Sequence, residues 1–157
     1  MSANYYVYLE SNLSVMEISD HLDTLNIAWT TLPQAQSDRI AKECEYFIMS
    51  AFHPSSILKN SFAETYQIRP PNCDFEFNFR RYYHDSRTAI LHIVRVVSFL
   101  LREISGDAAF GLIDMSFTYL VRRNGKTLLT TGHSFWKDDP RRLDLIPAPY
   151  QWVEKLP

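Results

Sequence analysis

Glycine is scarce in this sequence: only four of the 157 residues are glycine, and no GxGxxG or P-loop motif occurs among them. Loops that bind phosphate depend on glycine, because the backbone must come close to the phosphate oxygens. The HExxH motif of zinc hydrolases and the GxSxG motif of serine hydrolases are also missing. These absences argue against the common nucleotide-binding and hydrolytic enzymes, although they do not exclude an enzyme of another kind.

Cysteine is rare as well, with Cys44 and Cys73 as the only two. They do not form a CxxC pair, and two cysteines at this separation do not make a metal site. Two cysteines are enough for one disulfide bond, but we expect two reduced thiols in a cytosolic protein. The sequence therefore indicates neither a structural zinc site nor a disulfide framework.

Long hydrophobic runs are also absent. The longest apolar stretch, residues 89–101, is interrupted by His92 and Arg95 and is too short to span a bilayer. The N-terminus has neither the positively charged region nor the apolar region of a secretory signal. We therefore expect a cytoplasmic protein that has no membrane contact.

Charge of one sign does not dominate. The formal net charge is −2, from 16 basic and 18 acidic residues, so neither nucleic-acid binding nor a strongly acidic DNA mimic is indicated. Three pairs of adjacent arginines nevertheless suggest phosphate contacts, and two tyrosines follow the first pair. Because adjacent side chains of a strand point to opposite faces, we expect scattered surface charges instead. The pairs are Arg80-Arg81, Arg122-Arg123 and Arg141-Arg142.

Apolar residues make up 46% of the chain, which predicts one folded domain over residues 1–157. Alternation of apolar and polar residues is clearest at Phe75, Phe77 and Phe79, and is typical of a strand with one core face and one wetter face. The pattern predicts strands over 4–10, 27–32, 45–52, 73–83, 108–114, 117–123 and 126–131, and helices over 14–25, 55–66 and 86–105. Residues 34–43 are predicted as a short helix or loop, and the tail as irregular with a helical turn at 140–143.

Short sequence motifs predict where several of these helices and strands begin or end. Ser14 and Glu17 have the spacing of a capping box, and Asp85 is placed to cap the longest helix. Gly106 stands where a glycine ends a helix, and Asn124-Gly125 is the preferred pair for a type I′ hairpin turn. In the 55–66 helix we expect three buried side chains: Ile57, Leu58 and Phe62.

The order of these elements indicates an α+β fold, because helices do not alternate regularly with strands. We expect a mainly antiparallel twisted sheet with two principal helices, 14–25 and 86–105, packed on one face. A C-terminal β-meander follows the longer helix.

Two groupings of polar residues suggest chemistry. Asp138 and Asp139 resemble a carboxylate pair for a metal ion or a general base, and Ser134 with His133 and Asp138 has the composition of a nucleophile triad. Residues so close in sequence rarely adopt triad geometry. The structural interpretation is a turn in which Asp139 caps a helix that begins at Pro140.

With these motifs placed, the chain resembles the Sit-type immunity proteins of myxobacterial swarm-inhibition polymorphic toxin systems. The resemblance covers most of the chain and is weakest between residues 30 and 69. Its motifs are Tyr5-Tyr6-Val7-Tyr8-Leu9, Asn12-Leu13-Ser14-Val15-Met16-Glu17, Phe77-Asn78-Phe79-Arg80, Phe99-Leu100-Leu101, Gly106-Asp107-Ala108, Tyr119-Leu120-Val121-Arg122, Leu128, Trp136, Leu143 and Pro149-Tyr150.

The resemblance implies a small cytoplasmic protein that binds one cognate protein toxin and occludes its active site. It implies no enzymatic activity and no cofactor, metal, nucleic acid or membrane partner, and the chain is a monomer or homodimer. Partner-binding residues are chosen for anchor chemistry and for their expected place in loops or strand ends. They are Tyr82, Trp136, Asp138, Asp139 and Arg141. The alternative function is a small enzyme or nucleic-acid-binding domain with an unrecognised site.

Overall fold

The computed structural model describes residues 4–33, 39–80, 85–112 and 117–157, which form one nine-stranded sheet and five helices. The strands are β1 Tyr5–Leu9, β2 Thr30–Leu32, β3 Ile40–Glu43, β4 Phe47–Phe52, β5 Cys73–Phe79, β6 Ala108–Leu112, β7 Thr118–Arg123, β8 Lys126–Thr130 and β9 Tyr150–Val153. The helices are α1 Val15–Leu22, α2 Ser56–Tyr66, α3 Ser86–Glu103, α4 Phe135–Asp138 and α5 Pro140–Leu145.

The strand order is β2-β3-β4-β5-β1-β6-β7-β8-β9. Every neighbouring pair is antiparallel except β8 and β9, which are parallel. Strands β6, β7 and β8 form the expected meander, and the α+β fold class is confirmed. Within the described ranges, no helix has both the length and the apolar composition needed to cross a bilayer.

One face of the sheet, called the first face here, is lined by the alternating residues Phe75 and Phe77 and carries most of the core. Helix α3 packs on this face through buried residues such as Ile93 and Val97, which recur with helical spacing. Helix α1 contributes Ile18 to the same core. The prediction of two principal helices on one face is therefore confirmed.

The helix caps and the hairpin turn that the sequence predicts are present in the structure. The Ser14 hydroxyl accepts from the backbone N–H of Glu17 at 3.1 Å, and the Glu17 carboxylate accepts from the Ser14 N–H at 3.2 Å. Asp85 caps α3 by accepting from the N–H of Thr88. Asn124 and Gly125 have φ values of 48° and 77°, as a type I′ turn requires.

Helix α2 lies on the opposite side of the sheet, called the second face here. Its residue Phe62 stacks on Tyr8 of β1 with ring centroids 3.8 Å apart, and the Tyr6 hydroxyl donates to the Tyr66 hydroxyl at 2.8 Å. The prediction that Ile57 and Leu58 are buried is wrong: they are 80% and 43% exposed. The helix packs on the sheet through Phe62 and Tyr66 of its later turns, and the apolar residues of its first turn remain exposed.

Other boundaries differ from the predicted ones. Residues 40–43 form strand β3 and not a helix or loop, because they pair with β2 and β4 on both sides. Strand β9 was not predicted, and α4 was expected to be irregular. The strand predicted over 73–83 ends at Phe79, and its last three residues lie outside the described ranges.

Gly106 does not terminate α3 as a left-handed residue. The helix ends at Glu103, and its C-cap residue Ile104 is extended. The need for glycine at position 106 is steric, because an added Cβ would lie 1.8 Å from the carbonyl oxygen of Glu10. Close packing of two backbone segments, and not helix termination, is the physical reason for this glycine.

Candidate protein-binding site

The short helices α4 and α5 place polar side chains at the C-terminal end of the fold. Asp139 caps α5: its carboxylate accepts from the backbone N–H of Arg141, and Pro140 takes the first helical position. A proline is favourable there because its missing N–H has no helical partner in any case. The structural interpretation of the Asp138-Asp139 pair is thus confirmed for Asp139.

Asp139 is also the centre of an ion-pair cluster. Its side chain is only 1% exposed, and its two oxygens accept from Nε and Nη2 of Arg141 at 2.9 and 2.7 Å. Nε of Arg87, on α3, lies 3.2 Å from the same carboxylate. The hydrogen bonds from Arg141 hold the pKa of Asp139 far below its ordinary value, although burial opposes this shift. Two guanidinium groups, 61% and 59% exposed, are therefore fixed at the surface.

Asp138 points away from this cluster. Its carboxylate accepts from the Ser134 hydroxyl at 3.0 Å, while its backbone carbonyl accepts from Arg87. The Nδ1 atom of His133 accepts from the backbone N–H of Phe135. The serine hydroxyl thus faces the aspartate directly, and His133 does not bridge them as a triad requires. In the described ranges, no group of three or more His, Cys, Asp or Glu side chains is arranged to hold a metal ion.

Trp136 belongs to the core and not to the surface. It is 2% exposed, and its Nε1 donates to the backbone carbonyl of Tyr119 at 3.0 Å. It forms the inner wall of an apolar depression of about 430 Å³. The other lining residues are Thr131, Lys137, Leu143 and Trp152.

Trp152 is the exposed aromatic residue of this region, with 43% of its surface open to solvent. It lies on β9 opposite Leu129, a residue of the first-face core, and therefore points to the side of the sheet that carries α4 and α5. Sequence reasoning missed it because β9 was not predicted. The alternation of Tyr150 and Trp152 was the only local signal, and the prolines at 147 and 149 obscured it.

We call the surface formed by Lys137, Asp138, Arg141, Leu143 and Trp152 the C-terminal surface. Two of the five predicted partner-binding residues, Asp138 and Arg141, are exposed on it. Asp139 and Trp136 lie beneath it and fix its shape. Tyr82 lies outside the described residues.

The two arginine pairs that lie wholly within the described ranges, Arg122-Arg123 and Arg141-Arg142, do not form a basic stripe. Arg142 is buried and stacks on the Phe135 ring at 4.7 Å, whereas its neighbour Arg141 is exposed. Arg122 is buried on the first-face side of β7, and Arg123 donates to Gln67 beyond the last turn of α2. The expectation that adjacent arginines of a strand face opposite sides is confirmed for Arg122-Arg123, whereas Arg141-Arg142 lies on helix α5 and not on a strand.

One buried carboxyl group lies far from the C-terminal surface. Asp74, on the second face, is 3% exposed, and its Oδ1 has no hydrogen-bond partner. Burial, reinforced by the nearby charge of Glu76, raises its pKa to about 8. The neighbouring Tyr8 also has a raised pKa, through burial first and Asp74 second. Asp74 lies on β5 between Tyr8 of β1 and Phe52 of β4, so its carboxyl group belongs to the second face of the sheet.

Comparison with known proteins gives one match. A family model described as SitI3-like matches residues 3–140. No curated protein and no solved structure matches the chain. The matched range includes strands β1 to β8 and ends at the first residue of α5, so Arg141, Leu143 and Trp152 lie beyond it.

Proposed function

The chain belongs to the SitI3-like family, and we propose that it is an immunity protein that binds one cognate protein toxin and occludes the toxin's active site. Family membership agrees with the resemblance to Sit-type immunity proteins and favours a binding protein over an enzyme. The choice of surface rests on two exposed anchors at the C-terminal end of the fold: Trp152 beside the apolar depression, and Arg141, whose guanidinium Asp139 holds in place.

Tryptophan and arginine are the residue types that most often dominate protein interfaces. Trp152 offers a large apolar area beside a depression whose inner wall, Trp136, is rigid. Arg141 is already held in one orientation by Asp139, so little side-chain freedom is lost when a partner binds. Both anchors are thus arranged before the toxin arrives.

To occlude the active site of a toxin, the chain must form a protein–protein interface of about standard size. A standard protein interface covers about 800 Å² on each partner, which exceeds the C-terminal surface alone. Neighbouring residues must therefore contribute to the contact, and Tyr82 remains a proposed member. An interface of this size is sufficient to close a cleft that must admit a substrate.

The test is co-expression with a candidate toxin, chosen as a large open reading frame next to this gene whose product arrests growth. The wild-type chain is expected to restore growth and to co-purify with the toxin, whereas Trp152→Ala and Arg141→Ala lose protection and raise the Kd at least about tenfold. Met16→Ala, an exposed apolar residue on α1, serves as the matched control and retains protection. Failure of the wild-type chain to protect or to bind would remove the proposed function. Protection by the wild type and all variants alike would remove only the choice of surface.

A further inference from the structure

Strand β9 forms one edge of the sheet, and its outer side pairs with no strand of the described ranges. The carbonyl oxygen of Val153 accepts from the N–H of Thr131, just beyond β8, at 2.7 Å. Successive residues of a strand direct their backbone N–H and C=O groups to opposite sides. The backbone groups of Val153 and Gln151 therefore point towards β8, whereas those of Tyr150 and Trp152 point away from the sheet. No hydrogen bond between described residues involves these outward groups.

The outer edge of β9 has little of the protection that edge strands usually carry. Natural edges are blunted by charged side chains, proline, bulges or a very short strand, because unpaired N–H and C=O groups pair readily with another strand. The sequence of β9 is Tyr-Gln-Trp-Val, without a charge or a proline, and its register with β8 is unbroken. Only its length of four residues limits pairing, so an extended backbone beside β9 meets free donors and acceptors.

The surroundings of Trp152 add side-chain recognition to this edge. Trp152 is 43% exposed on the first-face side, where it borders the apolar depression together with Thr131, Trp136 and Leu143. A strand added to β9 lies about 4.8 Å away and directs every second side chain to the same face. A large apolar side chain of that strand meets the Trp152 ring at the mouth of the depression. Backbone pairing then gives affinity and the depression selects the side chain, as in other complexes formed by strand addition.

The edge of β9 is continuous with the C-terminal surface. Trp152 belongs to both, and Lys137 of α4 and Leu143 of α5 line the same depression. A pair of four-residue strands covers far less than the roughly 800 Å² that a standard interface buries on each partner. Strand addition at β9 therefore needs a larger contact around it, and the C-terminal surface supplies that contact on the adjoining side.

We propose that the toxin adds an extended segment to the outer edge of β9 and inserts one apolar side chain into the depression. This inference rests on the proposed function, because it specifies how the toxin contacts the C-terminal surface. The backbone of the toxin segment exchanges hydrogen bonds with the N–H and C=O groups of Tyr150 and Trp152. The sheet then continues from this chain into the toxin.

A second copy of this chain fits the edge less well than a toxin segment does. In a twofold antiparallel pair of β9 strands, the outward groups place Tyr150 of each copy opposite Trp152 of the other. The Tyr150 side chain is half-buried and packs against the core of its own chain, so it is not free to enter the depression of the other copy. Such a dimer leaves the apolar depression open, whereas a toxin segment supplies a side chain that fills it.

Amide hydrogen exchange followed by NMR tests strand addition on the full chain, first alone and then bound to the toxin that the co-expression test identifies. In the free chain the N–H groups of Tyr150 and Trp152 should exchange rapidly. Those of Gln151 and Val153 should exchange more slowly because they face β8, and they serve as internal controls. In the complex, exchange at Tyr150 and Trp152 is expected to slow at least about hundredfold. Nuclear Overhauser effects should connect these two amide protons to the toxin backbone.

Thr131→Phe tests the use of the depression. Thr131 is exposed at its rim, so a phenylalanine ring there occupies the space that the toxin side chain needs. The toxin Kd is expected to rise at least about tenfold. Thr131→Ser is the matched control, because it leaves the depression open and should bind like the wild type. Circular dichroism confirms that both variants fold.

Each contrary outcome identifies what has failed. A toxin complex in which the Tyr150 and Trp152 amides exchange as in the free chain overturns strand addition and leaves the proposed function standing. Equal toxin affinities for Thr131→Phe and Thr131→Ser overturn the insertion of a side chain into the depression. Protection of the two amides in the concentrated free chain, lost on dilution, assigns the edge to a second copy and overturns the inference. A chain that forms no toxin complex removes the proposed function and this inference together.

Discussion

The Nη1 atom of Arg122 lies 2.6 Å from the carbonyl oxygen of Leu101, so a side chain of β7 closes the last turn of α3. The same guanidinium donates from Nε to the Gly106 carbonyl at 2.7 Å and from Nη2 to the Ile104 carbonyl. The final carbonyls of a helix have no partner within the helix. Arg122 of β7 donates to the carbonyl groups of Leu101 and Ile104 at this end and also places a positive charge at the negative end of the helix dipole.

Arg122→Met is expected to lower the free energy of unfolding by about 3 kcal/mol, because it leaves two buried carbonyl oxygens and one partly buried carbonyl oxygen without their charged donor. Urea unfolding followed by circular dichroism measures this. Arg123→Met is the matched control on the opposite side of β7 and should cost less than about 1 kcal/mol. Equal losses in the two variants would contradict the capping role.

The raised pKa of Asp74 should make the free energy of unfolding depend on pH. Its pKa is about 8 in the fold against an ordinary value of 3.8, so between these pH values the folded chain holds a proton that the unfolded chain has lost. The free energy of unfolding therefore falls as pH rises from about 4 to about 8. The Asp74→Asn side chain is neutral at every pH, so the contribution of this position to stability no longer falls as pH rises.

The Asp74→Asn variant is expected to be about 1–3 kcal/mol more stable than the wild type near pH 8 and similar to it near pH 4. Urea unfolding midpoints measured at several pH values give a curve of stability against pH for each protein. Asp20→Asn, an exposed position on α1, is the control and should follow the wild-type curve. Parallel curves for Asp74→Asn and the wild type would show that burial of this carboxyl does not control the pH profile.

The two apolar residues Phe62 and Ile57 of α2 should respond differently to truncation. Phe62→Ala removes the ring that stacks on Tyr8 and should cost about 3 kcal/mol. Ile57→Ala should change stability by less than about 0.5 kcal/mol, because the side chain is 80% exposed. Both are measured by urea unfolding followed by circular dichroism. A large loss for Ile57→Ala would mean that it has a contact within its own chain.

Asp139 offers a way to separate helix capping from the orientation of Arg141. Asn at this position keeps an oxygen that accepts from the Arg141 N–H, but it removes the charge that both guanidinium groups share. Asp139→Asn is therefore expected to keep the fold while raising the toxin Kd about tenfold. Asp144→Asn, an exposed position on the same helix, is the control. Unchanged binding by Asp139→Asn would show that a fixed Arg141 is not needed.

Features that depend on neighbours in sequence were predictable. The capping box of Ser14 and Glu17 and the turn at Asn124-Gly125 involve residues within one turn of chain, so their residue types alone define the geometry. The alternation around Phe75 likewise identified a strand and its core face. Helix α3 was predictable because its apolar stripe is long.

Exposure at the candidate site was not predictable in the same way. Trp136 has the chemistry of an interface anchor, but its side chain is buried in the core. There its Nε1–H donates a hydrogen bond to the backbone carbonyl of Tyr119, which lies on β7. Trp152 is exposed because β9 adds in parallel to the edge of β8, a pairing that a short strand after prolines does not signal. The choice of anchors therefore changes from Trp136 to Trp152 once the sheet is assembled.

The periodicity of the main strands and helices, and the residues that cap them, can be read from residues close along the chain. Which side chains face solvent depends on the assembled fold. Arg141 is held in place because Asp139 also binds Arg87 of α3, and Ile57 is exposed because α2 meets the sheet through its later turns. Exposure depends on contacts between distant segments, and these exist only after the sheet has formed.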